Sequence, residues 1–156
     1  MTIKKSLFIA AIMLLATTMA NAAKKTIYKP WSNGKLKVSA NQRYLIHENG
    51  TPFFWLGNTA WLLPERLNRD EAEYFLAKER ELGYNVEQIQ VLNAIPTFNV
   101  YGQQANNKEF DFSKVSKPGV YGYWEHLDYI IDRAADNGIY IAMDCIWGSM
   151  LSLIHI

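Results

Sequence analysis

The chain has 156 residues, 49% of them hydrophobic and 13% aromatic, and its 16 Lys and Arg nearly balance 15 Asp and Glu. A balanced charge with no basic cluster after residue 22 except Lys24-Lys25 argues against a nucleic-acid surface. A single cysteine, Cys145, excludes an intrachain disulfide, so the fold must rest on its core, and the thiol itself reads as a small buried hydrophobe.

Lys4 and Lys5, the apolar run Ser6 to Ala16 and the small residues Ala20-Asn21-Ala22 describe a secretory signal peptide cleaved after Ala22. The apolar run is too short for a membrane span, so the mature protein is expected to be secreted or periplasmic, with no stable membrane anchor. Residues 23–33 read as a linker. Leu36 to Ser39 and Arg43 to Glu48 read as a short antiparallel pair, and Asn49-Gly50 is a hairpin signal before Pro52. Phe53-Phe54-Trp55-Leu56 has no polar face, which predicts a parallel strand buried on both sides. Gly57, Asn58, Thr59 and Trp61 would then form its polar, ligand-accepting end.

Asn68 followed by Glu71, with Gly83 downstream, predicts a helix from Arg69 to Leu82 whose apolar face is Ala72, Phe75, Leu76 and Leu82. Asn85 to Leu92 is the next strand. Its Gln88 and Gln90 share one face, which points to a lined cavity or barrel interior. The segment from Asn93 to Gly119 is long enough to be a functional loop. A second helix, from Tyr121 to Asn137, buries Trp124, Leu127, Ile130, Ile131 and Ala134, and Gly138 stops it. Ile139 to Trp147 is the third strand. A β lead-in followed by β, α, β, α, β begins an α/β protein with a parallel sheet. The final Leu151-Ser152-Leu153-Ile154-His155-Ile156 is what the end of a transposon-based sequencing adapter encodes, and it is expected to be adapter read-through.

These blocks resemble a known family, the apiosidase-like glycoside hydrolases, across 34–150. The likeness is carried by Asn49 to Trp61, by Leu82-Gly83-Tyr84-Asn85-Val86 with Gln88 to Leu92, by Asn99-Val100-Tyr101-Gly102, and by Tyr123 to Tyr129 leading to Ile146-Trp147-Gly148. The resemblance implies the N-terminal portion of a TIM (β/α)8 barrel, a β lead-in plus about three βα units, and hydrolysis of glycosidic bonds in plant-type polysaccharide such as pectin side chains. It also implies that the two catalytic carboxylates belong to later strands, commonly the fourth and seventh, so no catalytic residue is assigned here. Asn58 stands where the family usually carries aspartate.

The residues expected around a sugar are Asn58, Trp61, Gln90, Asn93 and Trp147, with Asn99 and Tyr101 as weaker candidates. Among the acids, Glu87 and Asp144 lie within strands and are the hardest to dismiss. His47, His126 and His155 make no metal or triad pattern, and no phosphate-binding glycine loop occurs, so neither metal nor cofactor is expected. The partner is an oligo- or polysaccharide. A non-catalytic carbohydrate-binding barrel is the alternative, favoured by Asn58 and the aromatic strand ends.

Overall fold

A computed structural model of the chain describes residues 27–105, 119 and 121–148. The expected signal peptide, its cleavage point and the 151–156 tail lie outside these residues. A short 3-10 turn, Pro30–Asn33, leads into an antiparallel meander of β1 (Leu36–Val38), β2 (Leu45–His47) and β3 (Pro52–Phe53). Leu36 pairs with His47, and Leu45 with both Val38 and Phe53. The Asn49-Gly50 signal makes the second turn. Gly50 adopts φ 87°, its N–H donates to the His47 carbonyl at 2.9 Å, and Asn49 Oδ1 accepts from the Thr51 N–H and hydroxyl.

The second sheet is parallel, in the order β4 (Gly57–Thr59), β5 (Val86–Leu92), β6 (Tyr140–Ile146). Between β4 and β5 run a short α1 (Leu63–Arg66) and the longer α2 (Arg69–Leu82); between β5 and β6 runs α3 (Tyr123–Asp136). Both long helices lie on one face of the sheet. Ala72 of α2 and Leu127 and Ile130 of α3 close over Ile89 of β5, and Leu76, Ala134 and Ile139 continue the core beside them. The result is a partial α/β barrel with an open, unclosed sheet, as the first units of a (β/α)8 barrel would form. No helix among the described residues is long and apolar enough to cross a membrane.

The helix boundaries follow from their caps. Asn68 Oδ1 accepts the Glu71 N–H at 3.0 Å while Glu71 Oε2 accepts the Asn68 N–H at 2.9 Å, a reciprocal capping box. At the other end Gly83 takes a left-handed φ of 95° and returns its N–H to Arg80. Of the expected α2 face, Ala72 and Leu76 are buried and Phe75 packs against them, but Leu82 is 70% exposed. It is the last residue of the helix. The five apolar residues assigned to the second helix all face the core, which α3 frames from Tyr123 rather than Tyr121.

The main correction concerns Phe53 to Leu56. They do not form a buried parallel strand: Phe53 ends β3 in the antiparallel meander, Phe54 is 77% exposed, and the parallel strand begins only at Gly57. Asn85 explains the break, because its side chain takes the Leu56 N–H at 2.9 Å and donates to the Phe54 carbonyl at 2.7 Å. The Leu56 N–H and the Phe54 carbonyl are thereby satisfied without a strand partner. Phe53 instead packs edge-on against His47 and Tyr140, fastening the meander to the amino end of β6. Cys145 is also corrected. It is exposed, on the same side of β6 as Ile141 and Met143 but beyond Ile141, where the cover given by the two long helices has ended.

Replacing Asn68 by Ala removes half of the capping box. Its expected cost is about 1 kcal/mol of unfolding free energy, read from the denaturant midpoint, whereas Asn68→Asp should stay close to the parent. An Ala variant with an unshifted midpoint would show that α2 does not need this cap.

Candidate functional site

Alternation along the parallel strands sorts their side chains onto two faces. Asn58, Glu87 and Ile141 stand in one row, and Ile89 pairs with Met143. This is the helix side, since Ile89 and Ile141 join the core. The next row, Thr59, Gln88 and Ala142, and the pair Gln90 and Asp144 point the other way. Gln88 Nε2 donates to Asp144 Oδ2 at 3.1 Å, so the face away from the helices has a polar floor.

Above that floor the carboxyl ends of the three strands converge. Trp61, just past β4, and Trp147, just past β6, approach with ring centroids 5.4 Å apart at 47°. Trp147 Nε1 donates to Asn93 Oδ1 at 2.9 Å, and Asn93 immediately follows β5. Trp61 is tied down in turn, because its carbonyl accepts the Gln90 N–H at 3.0 Å. Four of the five expected sugar-contacting residues, Trp61, Gln90, Asn93 and Trp147, are thus linked directly. Trp147 keeps 41% of its surface exposed, while Gln90 is only 1% exposed. Neither side-chain polar atom of Gln90 has a hydrogen-bond partner.

Asn58 is not part of this group. It lies on the helix side, where its Nδ2 donates to Glu79 Oε2 of α2 at 2.9 Å. The sequence reading took Asn58 for a residue following a strand, whereas it is the middle residue of β4, and the pleat turns it toward α2. Glu87 shares that row. It is fully buried and neither carboxylate oxygen has a partner. Burial, reinforced by the negative charge of Glu79, raises its pKa from 4.5 to about 7. Of the two acids carried by strands, Asp144 therefore faces the polar floor and Glu87 faces the helices.

Asn99 and Tyr101 serve the loop after β5 rather than the tryptophan pair. Asn99 is buried and its Oδ1 accepts the N–H groups of Tyr101 and Gln103, both at 3.0 Å. Sequence reasoning missed Gln88 with Asp144 as a bonded pair, and it missed Glu79. The parity of Gln88 and Gln90 carried the first signal; nothing local marked Glu79 as buried. His47 and His126 lie in separate places, on β2 and α3, and His126 is engaged by the Leu67 carbonyl at 3.0 Å.

A family model described as apiosidase-like, catalytic domain, matches residues 39–154. Among solved structures, a glycoside hydrolase is 60% identical with a TM-score of 0.76, covering 82% of this chain and 29% of its own. A glycoside hydrolase family 5 protein from Bacteroides vulgatus is 55% identical with a TM-score of 0.77, covering 82% of this chain and 28% of its own. The chain therefore spans less than a third of the length of either. No curated protein matches it.

The buried row predicts a pH dependence. An acid whose folded pKa lies above its unfolded value stabilises the fold fully below the unfolded pKa, and that stability is lost as pH rises through the folded one. For Glu87 the loss runs from about 4.5 to about 7. Glu87→Gln keeps the volume without the charge and should flatten the fall in melting temperature across this window. Parallel pH profiles for parent and variant would overturn the assignment.

Proposed function

The chain belongs to the apiosidase-like catalytic-domain family, and from that premise we propose that it is the substrate-gripping first part of an exported glycoside hydrolase acting on pectin side chains. The observation that carries this reading is the Trp61–Trp147 pair at the carboxyl ends of parallel strands, fixed by Asn93. In α/β barrels that end collects ligand-binding groups. Two indole faces held at a fixed angle offer the apolar C–H face of a sugar ring a flat partner with little rotamer entropy left to lose. Asn93 adds an amide beside them, able both to donate and to accept.

Cleavage of a glycosidic bond needs one carboxyl group to protonate the leaving oxygen and a second to act as base or nucleophile. Asp144 is the acid that the described strands carry toward the polar floor, and its bond to Gln88 holds it where it can accept a hydrogen bond from a sugar hydroxyl. The proton-transferring pair is assigned to strands that follow β6 in a closed barrel. Pectin side chains, and apiose among their sugars, are the substrate class that the family likeness favours.

Two measurements test the reading. Trp61→Ala and Trp147→Ala should each weaken binding of pectin-derived oligosaccharides by about ten-fold, as read by titration calorimetry. Unchanged affinity in both variants would sink the platform. The 156-residue chain should bind such oligosaccharides yet release no sugar from them; release by this chain alone would show that the reacting carboxylates lie within it.

A further inference from the structure

A second aromatic hollow lies away from the tryptophan pair. It is formed where the first turn of α2 meets the loop after β5 and the start of α3, and it encloses about 500 Å³. Asn68, Arg69, Asp70, Tyr101, Tyr121 and Tyr129 line it. We propose that this hollow is a second saccharide site that takes a neutral sugar unit of the same polymer, an inference that rests on the saccharide-binding function proposed above.

The hollow is built in advance of any ligand. Tyr101 and Tyr121 lie with centroids 4.5 Å apart at 41°. One buried residue fixes both: Asn99 accepts the Tyr101 N–H and donates from Nδ2 to the Tyr121 carbonyl at 3.0 Å. The Tyr101 hydroxyl accepts the Arg69 N–H at 2.9 Å, and its ring meets His126 edge-on. The Arg69 guanidinium lies over Tyr121 at 5.2 Å and over Tyr129 at 4.4 Å, and Nη2 donates to the Glu125 carbonyl at 3.4 Å. The Tyr129 hydroxyl is held by Glu73 at 2.5 Å. Tyr121 still exposes 51% of its surface. A rigid aromatic plate open to solvent loses little entropy when a ring settles on it.

Charge selects the ligand class. The tyrosine faces already receive the Arg69 cation, which repels a second positive group. For an anionic ligand the attraction of Arg69 is opposed by Asp70 in the wall and Glu73 beside Tyr129, and Arg133, over Tyr129 at 5.5 Å, is already paired with Asp136 at 2.8 Å, while the Asn68 side chain at the helix start is committed to its cap. A neutral polyol avoids both penalties. Its C–H face can stack on Tyr121, and its hydroxyls can donate to the Asp70 carboxylate.

The test uses the 156-residue chain in affinity electrophoresis against two probes, a neutral pectic galactan and a polygalacturonate. The background is a Trp61→Ala, Trp147→Ala double variant, so that the strand-end platform is silent. Residual galactan retardation in that background, weakened about ten-fold by Tyr121→Ala and kept by Tyr121→Phe, is the expected result. Loss of all retardation in the double variant, or a Tyr121→Ala change without effect there, would overturn the second site. Stronger retardation by polygalacturonate than by galactan would overturn the neutral assignment. The strand-end platform stands or falls separately, on whether the two tryptophan substitutions weaken binding in the parent chain. Unaltered far-UV circular dichroism of each variant separates lost contact from lost fold.

Discussion

The register of β5 governs the rest of the structure, and Asn85 sets it. Its backbone N–H donates to the Leu56 carbonyl at 3.0 Å and its carbonyl accepts the Tyr140 N–H at 2.9 Å. Its side chain secures the segment just before β4. One residue thus aligns the starts of all three parallel strands. A slip of β5 by a single position would exchange its two faces, turning Gln88 and Gln90 into the helix layer and Ile89 out of the core. The position of every group at the strand ends descends from that alignment.

What could be read from the sequence and what could not divides along physical lines. Local chemistry was legible. Asn68 and Glu71 fixed the start of α2, Gly83 its end, and Asn49-Gly50 the hairpin, because each acts over a few residues of its own chain. The alternation of Gln88 and Gln90 likewise foretold a polar face. Phe53 to Leu56 was misread because an apolar run reports hydrophobicity without reporting what covers it, and here a distant asparagine interrupts the backbone pairing. That misreading moved the start of β4 by several residues and so assigned Asn58 to a strand end. The burial of Glu87 against Glu79 depends on how α2 settles on β5, which neither segment encodes alone. The convergence of Trp61, Asn93 and Trp147 was foreseen only as three strand ends; their bonded geometry required the fold.

The two polar rows have opposite physical characters. On the open face, Gln88 and Asp144 are bonded to each other and stay half-buried, so their polarity carries little desolvation cost, unlike that of the buried, unbonded Gln90 beside them. On the helix side, Asn58 and Glu79 pair while Glu87 is left without a partner, which is costly unless it holds its proton. An aspartate in place of Asn58 would lose the donor that Glu79 accepts and set a third carboxyl group in the same layer. The amide at this position therefore suits the acids around it, whatever it does elsewhere in the family.

The polar floor has a further consequence for how such a domain is made. Its sheet is assembled in chain order, β4 beside β5 beside β6, and each pairing joins consecutive strands. A segment wired in this way can acquire its register as it leaves the ribosome, without waiting for distant partners. During that interval one face of the sheet is already sheltered by α2 and α3 as far as Ile141, and the other presents amides and a carboxylate. A sheet of this kind has less reason to stick to its neighbours through that face, so Gln88 and Asp144 would also help keep the nascent chain out of aggregates.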